Sequence, residues 1–262
     1  MTIYIHELKR NFKPLMIWSV SVSFMLAVCL LLYPEMETQM DAASDMFASM
    51  GAFTAAFGMD RINFGSLLGY YTVECGSVLG IGGAFYAAYI GVSMLSKEES
   101  GHTSEFLLMH PRKRSGIVLS KLAAAVTCVI VLNAMSCAVS LASFAAIGQT
   151  PPWKVFWIFI VAQLLTQLET AAVCFGISAF VRRGAIGIGL GSAAMLYFLN
   201  LFANISDKAR FAKYITPFAY SDAADIITDS SLDAALVILG AVYSVAAVLT
   251  ALIYYSKKDM AS

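Results

Sequence analysis

Charge is what this sequence has least of. Only 13% of its 262 residues are Asp, Glu, Lys or Arg, against about a quarter in an ordinary soluble domain. The 17 basic and 17 acidic residues cancel, so the net charge gives no reason to expect nucleic acid as a partner. Three histidines, His6, His102 and His110, do not fall at metal-ligand spacing, and no His-Glu-x-x-His run occurs. No metal site is assigned. Five cysteines sit in apolar runs without a Cys-x-x-Cys pair, which reads them as small buried apolar residues. There is no Gly-x-x-x-x-Gly-Lys-[Ser/Thr] run, so the chain cannot cradle ATP phosphates in the P-loop manner. No Ser-His-Asp set or acid pair emerges, and no catalytic residue is assigned.

Hydrophobic residues fill the gap. They make up 59% of the chain, and the mean hydropathy is +0.74. A soluble fold of this size would be left with large apolar patches in water. A helix crosses the hydrocarbon core in about 20 apolar residues. Six stretches qualify: 14–34, 75–96, 122–153, 155–181, 184–206 and 234–256. Each must satisfy its backbone internally, so each is expected to be helical. The expected fold class is all-α, a polytopic membrane bundle of six spans forming one domain over residues 1–262. Residues 1–13 are charged and the apolar run after them is too long for a signal-peptide core, so the segment is expected to be retained.

Orientation follows from the basic residues. With both termini in the cytoplasm, twelve Lys and Arg lie inside and five outside. Lys208, Arg210 and Lys213 work against this count; an even number of spans with basic termini agrees with it. Between the spans, residues 1–13 read as an amphipathic helix on the inner interface, with Ile5, Leu8 and Phe12 on one side and Glu7, Lys9, Arg10 and Lys13 around the rest. Residues 34–71 read as an outer loop with one or two short amphipathic helices, carrying Phe47, Met50, Phe53 and Phe57 at helical spacing. Residues 207–233 form a second outer loop, broken by Pro217, and Pro151-Pro152 marks a tight outer turn.

The cytoplasmic loop 96–116 carries the strongest local signal. Glu98, Glu99 and Gly101 end the second span. A short helix then presents Phe106, Leu107 and Leu108, and His110 precedes Pro111, which stops it. Arg112, Lys113 and Arg114 lead into the third span. Apolar knobs ringed by charge are what a docking surface needs; the other reading is a loop whose apolar residues pack under the bundle. The run resembles the coupling loop of type 2 ABC exporter permeases, through Glu98, Glu99, Gly101, His102, Thr103, Glu105, Phe106, Leu107, Leu108, Pro111 and Arg114, with Lys121 where a lysine commonly opens the third span. It departs at Arg112-Lys113, which is more basic than the family's usual short apolar residue. Residues 7–13 also resemble the family's elbow helix.

The resemblance implies a great deal. This chain would be the permease subunit of an ATP-driven exporter in a bacterial inner membrane. A second permease subunit, the same or related, would complete the translocation path. Separate ABC ATPase subunits would hold ATP and Mg and dock on the loop at Glu98, Glu99, Gly101, His102, Thr103, Glu105, Phe106, Leu107, Leu108, His110, Pro111, Arg112 and Arg114. No cofactor would sit on this chain. The alternatives are a stand-alone secondary transporter, which would want more intramembrane charge than one carboxylate, or an immunity or sensor protein that binds a ligand without moving it.

That carboxylate is Glu169, near the middle of the fourth span, where its charge costs about 2.5–3.5 kcal/mol on insertion scales. Gln163, Thr166, Gln167, Glu169, Thr170 and Cys174 share an arc of about 160° at about 100° per residue. Leu164, Leu165, Leu168, Ala171, Ala172 and Phe175 take the other side, read as facing lipid. The polar stripe lines a substrate path or glues helices together with Glu169 hydrogen-bonded; both readings stand. Small residues recur at packing spacing in the second span (Gly76, Gly80, Gly83) and the fifth (Gly184, Gly187, Gly191), for internal packing or a subunit interface.

Overall fold

The computed structural model describes residues 2–37, 50–63, 65–100, 114–181 and 185–257. Among them no strand occurs, and six helices are long and apolar enough to cross a membrane. The first is α1 (Thr2–Glu37). A short α2 (Ala52–Ala56) follows in the loop. The second crossing is composite: α3 (Leu67–Tyr70) passes through a π turn, Tyr71–Cys75, into α4 (Gly76–Ser100). Then come α5 (Arg114–Ala146), α6 (Trp153–Ser178) and α7 (Ala185–Ile205). Two 3-10 turns, Asp207–Tyr214 and Ala219–Ser221, flank Pro217 and lead to α8 (Ala223–Asp229). The last crossing is α9 (Ala234–Lys257).

Three expectations need correction. A separate N-terminal helix was expected over residues 1–13, but α1 runs without interruption through Pro14. The reason is packing. Glu7, Asn11, Leu15, Ser19, Val22, Leu26, Leu30 and Tyr33 are all buried and recur every three or four residues, so one buried stripe spans the proline. The amphipathic reading is also inverted there. Ile5 and Phe12 are exposed, whereas Glu7 faces the protein. Third, the span expected over 122–153 ends at Ala146. Gly148 adopts φ +70, the left-handed conformation glycine supplies after a helix end, and Pro152 then opens α6.

Two helices form the centre. In α4 with its lead-in and in α6, 67% of the most apolar window is buried, against 22% in α7 and 11% in α9. The central pair can approach closely because α4 presents glycines to α6. Gly76 faces Phe159 and Gly80 faces Gln163, while a Cβ at Gly83 would overlap Gln167. The glycine stripe of the second span is thus internal packing. On one flank α1 packs along α5; α7 lies against α4, and α9 against α6 and α5. At the end of the bundle carrying the π turn, Tyr71 stacks among Phe144, Phe156 and Phe159 with ring centroids 5.1–5.8 Å apart, joining three helices.

The stripe in α7 differs. Among the described residues Gly187 and Gly191 meet nothing within 4 Å. With Met195, Phe198 and Phe202 they form one exposed face. Gly184 lies outside the described residues.

Candidate functional site

The roots of the 96–116 loop are held by a buried ion cluster. Lys97 lies near the end of α4, and Lys121 lies two turns into α5. Both reach Glu7 of α1. Lys121 Nζ donates to Glu7 Oε1 at 2.8 Å and to the Met94 carbonyl at 2.9 Å, and the Lys97 ammonium pairs with Glu7 Oε2. Asn11 Nδ2 adds a bond to Glu7 Oε2 at 3.4 Å and one to the Glu7 carbonyl at 2.8 Å. Lys121 is 0% exposed and Glu7 2%. Taking such charges out of water costs several kcal/mol per ion, which close pairing must offset. Each carboxylate oxygen here has its own ammonium. The cluster joins the N-terminal segment to both stems of the loop.

Sequence reasoning missed Glu7 as a partner for Lys121. The signal was present in the spacing: Glu7 and Asn11 continue the buried register of Leu15 and Ser19 at i+4. Of the expected docking residues, Glu98 and Glu99 lie in the last turn of α4 and Arg114 opens α5. Gly101, His102, Thr103, Glu105, Phe106, Leu107, Leu108, His110, Pro111 and Arg112 lie outside the described residues.

The polar stripe of α6 is buried throughout, but its members do different things. Gln167 accepts from Asn133 Nδ2 of α5 at 2.7 Å and donates to the Leu79 carbonyl of α4 at 3.2 Å. It pins three helices together. Thr166 Oγ1 donates to the Pro217 carbonyl at 3.1 Å, and Thr170 Oγ1 to the Thr166 carbonyl at 2.8 Å. Gln163 lines a small cavity of about 60 Å³ with Thr72, Ser77, Tyr197 and Asn200. Its Oε1 and Asn200 Oδ1 are buried there without a partner among the described residues, a setting that suits bound water.

Glu169 stands apart from these. Its Oε2 accepts from the Tyr220 hydroxyl at 3.0 Å, and Gly240 of α9 lies so close that a Cβ there would overlap the carboxylate. The side of α6 read as lipid-facing is largely enclosed as well: Ala171, Ala172 and Phe175 are buried, and Leu164, Leu165 and Leu168 half-buried. A helix at the centre of a bundle has neighbours on most of its circumference.

The segments 50–63 and 207–233 meet at the far end of the bundle. Arg61 Nη2 binds Asp222 Oδ1 at 3.2 Å and its Nη1 binds Asp225. Burial alone would lower the Arg61 pKa; Asp222 and Asp225 more than reverse this and raise it. Asp222 also caps α8, accepting from Ala224 N at 3.0 Å, and takes Asn204 Nδ2 at 2.7 Å. Gly58 (φ +70) lets the 50–63 segment close on α8; a Cβ there would lie 2.7 Å from Ala224 Cβ.

Among the described residues no group of three His, Cys, Asp or Glu side chains could hold a metal ion. No curated protein matches the chain. The family described as ABC-2 family transporter protein matches residues 1–260, nearly the full length over which the six membrane helices are laid out. The chain belongs to the ABC-2 transporter family, as a multi-pass membrane protein of the ABC permease type.

Proposed function

We propose that this chain is the permease subunit of an ATP-driven exporter. It works with separate ABC ATPase subunits that carry ATP and Mg and grip the loop over residues 96–116. A second permease subunit, a copy or a relative, completes the path. The protein sits in a bacterial inner membrane with both termini in the cytoplasm, the arrangement the basic residues favour.

The observation that carries this reading is the Glu7–Lys97–Lys121 cluster. A loop that receives force must be rooted in elements that move as one. Here α1, α4 and α5 are tied by charge immediately beside the loop. Closure of the ATPase pair would pull on Phe106, Leu107 and Leu108, and the cluster would pass that motion to three crossings together. The bundle would then rock between inward-open and outward-open states, and the different affinities of the two states for substrate set the direction. In α6, Gln163, Thr166, Gln167 and Thr170 serve mainly as internal ties, and Glu169 is the stripe member placed to meet substrate. The open face of α7, from Gly187 to Phe202, supports a close approach by the second subunit.

The test is co-purification of the tagged chain with an ATPase encoded beside it. Phe106→Asp and Leu107→Asp should each abolish recovery of the ATPase while the permease stays monodisperse. A complex that survives both changes removes the docking assignment.

A further inference from the structure

Between α5, α6 and α9 lies a cleft of about 310 Å³. Its walls are mainly hydrocarbon, with Leu122 and Val126 from α5, Leu168 from α6, and Val237, Ala241 and Val245 from α9, and Ser244 of α9 adds a hydroxyl. Ala241 and Val245 are exposed at the rim. Glu169 also lines the cleft and is 6% exposed.

The carboxylate is poorly provided for. An ionised carboxylate offers about four acceptor sites. Among the described residues Glu169 accepts one hydrogen bond, from Tyr220, on Oε2 alone. None of the ion pairs among them includes it. Among the described residues no Lys or Arg of the neighbouring elements pairs with it. Residues 234–256 of α9 carry no basic residue at all. Lys121 of α5 is engaged by Glu7 and the Met94 carbonyl, and Lys213 and Arg61 by the aspartates of the cap. Tyr220 supplies no charge; burial first, then Glu169 itself, raises its pKa, so it remains a donor. A purely hydrocarbon occupant would leave the acid without a counter-charge.

We propose that this cleft binds a lipophilic organic cation, with its apolar body against α5 and α9 and its positive centre at Glu169 Oε1. Tyr220 is a positioning residue that steadies the other oxygen, and Gly240 leaves the space the carboxylate needs. The proposal deepens the permease reading and rests on it for its biological meaning, because it names the class of compound the path would carry.

The experiment is equilibrium binding of tritiated tetraphenylphosphonium to the full chain in phosphatidylcholine nanodiscs. One saturable site per chain is expected. Glu169→Gln should weaken it at least tenfold, and so should Val245→Trp, which fills the cleft and leaves the acid in place. On the wild-type protein, neutral triphenylphosphine oxide should compete at least tenfold more weakly than unlabelled tetraphenylphosphonium. This arm tests charge recognition without altering the fold. Binding no greater than to empty nanodiscs overturns the proposal. Equal competition by the neutral compound, or binding kept in Glu169→Gln, reduces the cleft to a place for lipid chains and also overturns it. Binding kept in Val245→Trp puts the site elsewhere, with the same consequence. No ATPase is present in the assay, so loss of this site and loss of ATPase docking are separate results.

Discussion

At the scale of single residues, Glu7 shows how much can depend on one side chain that composition hides. Its one carboxylate holds two lysines, and Lys121 has no water to fall back on. Removing one partner of a buried pair costs about 3–5 kcal/mol, because a desolvated charge is left behind. Glu7→Gln is therefore expected to lower stability by roughly this amount, read as a fall in melting temperature of the detergent-solubilised chain. Adding Lys121→Met to Glu7→Gln should recover part of the loss, since the orphaned ammonium is gone. A double variant less stable than the single would mean that Lys121 is held by groups other than Glu7. Lys97, 14% exposed in its side chain, should matter less than Lys121.

At the scale of elements, two helices carry glycine at similar spacing and use it differently. In α4 the glycines face α6, and Gln167 cannot swing aside because Asn133 and the Leu79 carbonyl hold it. Gly83→Ala should cost about 1–3 kcal/mol by overpacking. In α7, Gly187 has open space beside it, and Gly187→Ala should leave stability within about 1 kcal/mol. Thermal unfolding of the two variants side by side measures the difference. Gly187→Leu combined with Gly191→Leu should spare the single chain yet reduce pairing of permease subunits, seen as a loss of cross-linked dimer in membranes. A dimer unaffected by both leucines would assign the second subunit to another face.

For the whole molecule, the decisive geometry is that the ion-clamped roots of the 96–116 loop and the aspartate-rich cap lie at opposite ends of the bundle. In the proposed topology, which the basic residues favour, the loop faces the cytoplasm. An impermeant thiol reagent applied to intact spheroplasts should label a cysteine introduced at Asp229 and spare one at Ser104, with a cysteine-free background for both. Labelling of the Ser104 position from outside would reverse the topology and with it any role for cytoplasmic ATPases. The two ends are built to different degrees of burial. At the loop roots Glu7 and Lys121 are sealed from solvent and Lys97 is 14% exposed, whereas in the cap Arg61 and Asp225 are both 39% exposed in their side chains and Asp222 is buried. Exposed pairs contribute about 0–1 kcal/mol each, so in the cap the Arg61–Asp225 pair is the one that can open at lower cost.

By itself the sequence determined that six helices cross a membrane, that Pro151-Pro152 separates the third from the fourth and Pro217 breaks the segment before the last, and which loop resembles a coupling segment. All of these depend on quantities local in the chain: apolar content summed over about 20 residues, backbone preferences of glycine and proline, and a motif read in order. Tertiary structure alone decided that α1 continues through Pro14, that Glu7 points inward to two lysines, that Gln167 ties helices while Glu169 meets an open cleft, and that the α7 glycines face outward. The physical reason is that lipid and protein interior are equally apolar. Hydrophobic periodicity, which separates core from water in a soluble protein, cannot tell which side of a membrane helix meets a neighbour. Only the packing of the six against one another assigns each face.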